Sequence, residues 1–116
     1  MGASSFVKVT VGKYANAQEA YRALCEQARH EFGNRECNGT ISTTNGFRDL
    51  TYKAPRYGSK AWHDFVEDQI EATEKWGPCV CVQLTGTALK QLKLEAGIKE
   101  GERGNRAFVF LGWVAE

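Results

Sequence analysis

The sequence has little proline, almost no net charge and no long apolar run. Two prolines in 116 residues, with no low-complexity tract, are typical of an ordinary globular chain. The formal net charge of +1 argues against a dedicated nucleic-acid-binding protein, because phosphate contacts call for a clear excess of Lys and Arg. Since no run reaches the roughly 18 apolar residues of a membrane span, we expect no contact with a membrane.

The amino-terminal segment MGASSFVKVTVGKY also lacks the features of a secretory signal. It has neither a cationic start nor a long apolar stretch. We therefore expect a cytoplasmic protein whose four cysteines are reduced. With 116 residues, of which 42% are hydrophobic, a single α+β domain spanning residues 1–116 can bury a core without disulfides.

No common catalytic motif is present. The chain has no P-loop, no G-x-G-x-x-G after a strand, no H-E-x-x-H and no G-x-S-x-G. Neither His30 nor His63 has an adjacent Ser or Cys with which to form a nucleophile pair. An enzyme is therefore the less expected class, and a small hydrolase using Asp49, His63 and a neighbouring acid is the least supported reading.

Hydrophobic patterning predicts strands at residues 6–11, 79–84 and 107–114. The first is β-branched and alternates, with Phe6 on one side and Val7 on the other. The last is apolar on both faces, so we expect it to be central or covered. Residues 86–106 are compatible either with a helix or with a strand.

Two helices are predicted from capping residues and periodicity. The first is expected to start at Asn16, which forms a capping box with Glu19, and to end at Gly33. The second is expected to start at Ser59 and to stop at Gly77. Each of the two segments carries an apolar stripe at helical spacing and a charged opposite face.

A β-hairpin is predicted within ECNGTISTTNGFRDLTY, residues 36–52. Asn45 and Gly46 fit a two-residue type I′ turn, which needs a positive φ at both positions. In that hairpin most hydroxyl groups, including those of Thr40 and Ser42, lie on one side.

The order of predicted elements is β-α-β-β-α-β, followed by one more strand. This order matches a ferredoxin-like α+β fold, with an antiparallel sheet and two helices on one face. The other sheet face would then expose apolar residues of the last two strands. Because large apolar patches on monomers usually mark an interface, we expect a homodimer formed through that face.

The cysteines allow two interpretations. Cys79 and Cys81 share a strand face, and Cys25 and Cys37 could complete a four-thiolate zinc site. However, Cys25 lies in the apolar stripe of the first helix, and Cys-x-Cys is not the usual zinc spacing. We therefore favour buried free thiols and expect neither a metal nor a cofactor.

Two sets of residues are candidates for binding. The acidic side of the second helix could engage a partner by mimicking phosphates, although such a cluster is usually a solvated helix face. Its members are Asp64, Glu67, Asp68 and Glu71. A small nucleotide-like ligand could instead stack on a tryptophan and bond to neighbouring polar groups. The residues for that role are Asn38, Thr40, Ser42, Trp76 and Trp113.

Three segments resemble a family of short uncharacterised proteins from phages, prophages and bacteria. They are AYRALCEQARHEFGNRECNGTISTTNGF, EKWGPCVCVQL and FVFLGWVAE, which contain the NGTISTT, KWGP and F-x-G-W elements of that family. The resemblance covers most of the chain except residues 86–106. It implies no activity and no site residue. It does imply that the protein is encoded among small phage proteins, which are often accessory factors that bind a host protein or signalling molecule.

Together these observations favour a non-enzymatic binding protein, an accessory factor of a phage or mobile element that engages a host protein. The alternative is a module that sequesters a small nucleotide-like ligand.

Overall fold

Strands and helices alternate along the chain in the computed structural model, which describes residues 3–33, 40–74 and 76–115. The strands are β1 (Ala3–Gly12), β2 (Phe47–Asp49), β3 (Cys79–Leu84) and β4 (Arg106–Ala115), and the α-helices are α1 (Ala17–Phe32), α2 (Lys60–Ala72) and α3 (Gly86–Glu95). The fold is therefore α+β, with a four-stranded sheet and three helices. In the described parts of the chain, no helix is both long and apolar enough to cross a membrane.

The sheet is mixed, with the strand order β1-β4-β3-β2. β4 pairs antiparallel with β1 and with β3, whereas β2 runs parallel to β3. The predicted ferredoxin-like order, with its all-antiparallel sheet, is thus not confirmed. β4 lies inside the sheet and is buried from Ala107 to Gly112, which confirms the prediction that this apolar run is central or covered.

The predicted hairpin around Asn45 and Gly46 is wrong. Residues Ile41–Thr43 form a 3₁₀ turn, and Asn45 does not have the positive φ that a type I′ turn needs. Thr40 Oγ1 accepts a hydrogen bond from the Ser42 N–H at 3.3 Å, so the hydroxyl residues bond locally to the backbone rather than allowing a strand. Only the positive φ of Gly46, +77°, agrees with the prediction.

Helices cover both faces of the sheet. On one face, α1 packs Ala20, Leu24, Cys25 and Ala28 against β3 and β4. On the opposite face, Trp62 and Phe65 of α2 and the partly buried Leu89 and Leu92 of α3 pack against the other sides of these strands.

The prediction of two helices on one face with an open sheet behind them is therefore wrong. The physical reason is that β3 and β4 are apolar on both sides, so that α1 packs on one face while α2, together with the helix formed by residues 86–95, packs on the other. The homodimer no longer follows from an exposed sheet face, and it stays a prediction that sedimentation would test.

The first two helices begin where their capping residues predicted. Asn16 Oδ1 accepts the Glu19 N–H at 2.9 Å, and Ser59 Oγ accepts the Trp62 N–H at 3.1 Å. α2, however, ends at Ala72 instead of reaching Gly77. The residue after Ala72, Thr73, has an extended backbone and is buried.

Candidate functional site

The acidic surface, defined as Asp64, Glu67, Asp68 and Glu71, lies on the exposed side of α2. Spacings of three, four and seven residues place these carboxylates in one stripe along the helix. The opposite side of α2 is held to the sheet by its buried aromatic residues. The four carboxylates thus face solvent on a helix whose opposite side is packed on the sheet.

Little in the described structure neutralises this surface. Lys60 Nζ lies 4.0 Å from Asp64 Oδ2, and both side chains of this ion pair are strongly exposed. Exposed pairs of this kind contribute only about 0–1 kcal/mol. The carboxylates are therefore available to a positively charged partner without the loss of a strong internal interaction.

The predicted ligand-binding residues have separate surroundings. The hydroxyl of Thr40, which caps the 3₁₀ turn, lies 2.8 Å from that of Ser42 within the turn. Trp76 is 41% exposed and has a φ of +70°, whereas the Trp113 indole Nε1 donates to the Ile70 carbonyl at 2.7 Å. Asn38 lies outside the described residues.

The sheet separates two of these residues. Trp113 bonds to α2 and lies on the face of the sheet that α2 covers. Thr40 borders a groove formed with Phe6 and Leu24, on the face that α1 covers. The structure therefore does not bring Trp113 and Thr40 into one site, and any stacking of a ligand on Trp113 would not involve the hydroxyl of Thr40.

The hydrolase interpretation pairs Asp49 with His63. In the structure Asp49 forms hydrogen bonds within a turn, and His63 is exposed to solvent. Asp49 Oδ1 accepts hydrogen bonds from both the backbone N–H and the hydroxyl of Thr51, at 2.9 and 2.6 Å. His63 is exposed on α2. The contacts of Asp49 thus stabilise the turn after β2.

Three cysteines are free thiols inside the α1 side of the core. Cys25, Cys79 and Cys81 are buried and form no disulfide, as the sequence predicted, while Cys37 lies outside the described residues. Burial raises the pKa of Cys79 to about 12 and raises the pKa of Cys25 and of Cys81 above the ordinary value. Among the described residues no cluster of three or more His, Cys, Asp or Glu could hold a metal.

These thiols should resist alkylation in the folded protein. At a pKa of about 12, only about one Cys79 in 10⁴ is a thiolate at pH 8, and the thiolate is the reactive form. Iodoacetamide at pH 8, followed by peptide mass spectrometry, should leave Cys79 and Cys81 unmodified in buffer and modify both in urea. Native labelling at the rate found in urea would contradict the buried arrangement.

Tyr21 joins α1 to the segment that was predicted as a hairpin. Its hydroxyl lies 2.6 Å from Thr44 Oγ1 and accepts the Gly46 N–H at 2.9 Å. Burial raises the pKa of Tyr21 to about 12, so the phenol stays protonated. Periodicity placed this side chain on the apolar stripe but gave no sign of its hydrogen bonds.

A cleft that the sequence did not predict opens between the end of β3 and α3. It has a volume of about 550 Å³, within the range of roughly 300–1,000 Å³ that is common for small-molecule sites. We call it the β3–α3 cleft. Its polar lining comes from the residues after β2, from β3 and from α3, and includes Thr51, Arg56, Tyr57, Gln83, Thr87 and Gln91.

Comparison with protein-family models, with curated proteins and with solved structures gives no match for this chain. The resemblance to phage and bacterial proteins stays a prediction.

The position of the cleft follows from the parallel pairing of β2 with β3. Leu50 N–H donates to the Cys81 carbonyl at 2.9 Å, and the Gln83 N–H donates to Thr51 Oγ1 at 2.8 Å. These bonds hold the turn after β2 beside the end of β3. Ligands of α/β sheets commonly bind outside the carboxyl ends of parallel strands. The hairpin prediction missed this parallel pair, which no pattern within a single segment indicates.

Proposed function

We propose that this protein is a non-enzymatic binding protein that engages a host protein, as an accessory factor of a phage or mobile element acting in the cytoplasm. The observation that carries the proposal is the acidic surface of α2. It places four carboxylates in one exposed stripe on a chain whose formal net charge is only +1. The partner that fits such a stripe is a protein with a basic surface.

The anchoring of α2 favours recognition by a rigid surface. Trp62 and Phe65 are buried, and the two rings are 5.8 Å apart. A helix held in this way presents its carboxylates without a cost for ordering its backbone at the moment of binding. Complementary charge accelerates encounter and disfavours partners of the wrong sign.

Replacing Glu67, Asp68 and Glu71 together with Gln should abolish capture of the host partner while leaving the protein folded. These residues are exposed, so each substitution should change the free energy of unfolding by less than about 0.5 kcal/mol. The measurement is affinity capture from host lysate with quantitative mass spectrometry, and urea denaturation of each variant checks folding.

A matched control removes the same charge elsewhere. Glu26, Glu31 and Glu100 are exposed and lie outside α2, so their combined replacement with Gln gives the same change in net charge. This variant should capture the partner as the wild-type protein does. Equal loss of the partner in both variants would show that net charge, rather than the acidic surface, carries the interaction.

A further inference from the structure

We propose that the β3–α3 cleft binds a mononucleotide-sized aromatic phosphate, at a site distinct from the acidic surface. The cleft combines an apolar floor, an exposed aromatic wall and an arginine that forms no ion pair with a described residue. The floor and the wall can contact an aromatic ring, and the arginine can bind a phosphate.

The floor and one wall suit a planar ring. Val82 and Leu84 of β3 are buried and border the cleft. Tyr57 borders it as well, is 38% exposed and packs edge-on against buried Trp62, with ring centroids 5.2 Å apart. Trp62 thus supports the Tyr57 ring at the cleft wall. Stacking of a nucleobase on an aromatic side chain adds attraction that does not depend on the base.

The positive charge of the cleft belongs to Arg56. Its side chain is exposed and forms no ion pair within the described part of the chain. A guanidinium binds a phosphate through two parallel hydrogen bonds and keeps its charge at all physiological pH values. An anion in the cleft would therefore gain a partner without breaking an existing salt bridge.

The start of α3 adds to this attraction. Thr87 and Ala88 line the cleft at the beginning of the helix, and the side chain of Thr85, which precedes the helix, forms no capping hydrogen bond. The first N–H groups of a helix have no partner within it and favour a negative charge.

The polar groups farther along the cleft suit a sugar or the edge of a base. Glu95, at the other end of α3, also lines the cleft and lies about 12 Å from Thr87 along the helix axis. Gln83 is half-buried, and its side-chain amide forms no hydrogen bond with a described residue. A carboxylate and an amide here can bond hydroxyl or amino groups, while the phosphate lies at the opposite end. The cleft thus fits a ligand that is anionic at one end only.

The test is isothermal titration of the whole protein with each of the four ribonucleoside monophosphates. Inorganic phosphate and the matching nucleosides are titrated separately. At least one monophosphate should bind with a Kd below about 1 mM. Because a phosphate and a ring each contribute, both the nucleoside and inorganic phosphate should bind more weakly than that monophosphate.

Thr87→Glu is the decisive variant. A glutamate in the first turn of α3 is favourable for the helix, so the protein should remain folded in a thermal scan. The same charge repels a phosphate, and affinity should fall at least about tenfold. Thr87→Gln, whose side chain is as long as that of the Glu variant but uncharged, should lose less affinity than Thr87→Glu. Arg56→Gln should also lose affinity, whereas Arg22→Gln on the exposed side of α1 should not.

Three results would overturn the proposal. They are no binding of any monophosphate, binding that Thr87→Glu leaves unchanged, and inorganic phosphate binding as tightly as the nucleotides. The acidic-surface variant should still bind nucleotide, and Thr87→Glu should still capture the protein partner. Failure at one site can therefore be told apart from failure at the other.

Discussion

Gly112→Val should be among the most damaging single substitutions in this protein. Gly112 lies in the central strand with a φ of +153°, and a Cβ there would lie 3.3 Å from Thr73 Oγ1 and 3.4 Å from Cys79 Cβ. Backbone strain of about 1–3 kcal/mol adds to overpacking of about 1–3 kcal/mol. We expect the free energy of unfolding to fall by about 2–6 kcal/mol, measured by urea denaturation.

Gly101→Val separates these two causes. Gly101 also has a positive φ, +88°, but a Cβ there would meet no atom within 4 Å. This control should lose only the strain contribution of about 1–3 kcal/mol. If the two substitutions cost the same, the close packing of Thr73 and Cys79 around the central strand would be wrong.

Phe110→Ala should have a comparably large effect. Phe110 is 0% exposed, and its ring centroid lies 5.8 Å from that of Tyr21 and 5.7 Å from that of Phe47. Removing a buried Phe leaves a cavity as well as losing the transfer free energy, so we expect a loss of about 3–5 kcal/mol in urea denaturation.

Phe32→Ala is the matched control, because Phe32 is 57% exposed at the end of α1. Its loss should stay within about 0.5 kcal/mol, as is usual for surface substitutions. Equal losses at Phe32 and Phe110 would contradict the burial of Phe110 between α1 and the sheet.

Those elements whose signals lie within one segment could be predicted from the sequence. The start of α1 depends on Asn16 and that of α2 on Ser59, and each capping bond spans three residues. β3 and β4 are continuous apolar runs, which need a covered position in any arrangement. Such signals do not depend on which strands pair.

The elements that could not be predicted correctly depend on contacts between distant segments. Asn45-Gly46 is a strong local turn signal, yet the Asn45 N–H donates to the Gly77 carbonyl and the Gly46 carbonyl accepts the Cys79 N–H. Pairing with β3 therefore replaced the hairpin. The sequence of residues 86–95 is compatible with a helix or a strand. In the structure it is a helix, and Leu89 and Leu92 of that helix pack on the sheet.

The two candidate sites differ in the same way. The acidic surface could be predicted because its residues share one helix, and helical spacing alone places them together. The β3–α3 cleft brings Arg56 and Tyr57 together with Thr87, thirty or more residues later in the chain. Its assembly requires the parallel pairing of β2 with β3, and no pattern within a single segment indicates that pairing.

Partner capture at two salt concentrations tests the central claim most directly. Raising the salt from 0.1 M to 1 M shortens the screening length from about 10 Å to about 3 Å. The wild-type protein and the Glu26, Glu31, Glu100 control should retain the same host protein at 0.1 M and lose most of it at 1 M. The Glu67, Asp68, Glu71 variant should fail to retain it at either concentration. Retention by that variant equal to wild type at 0.1 M would contradict recognition through the acidic surface of α2.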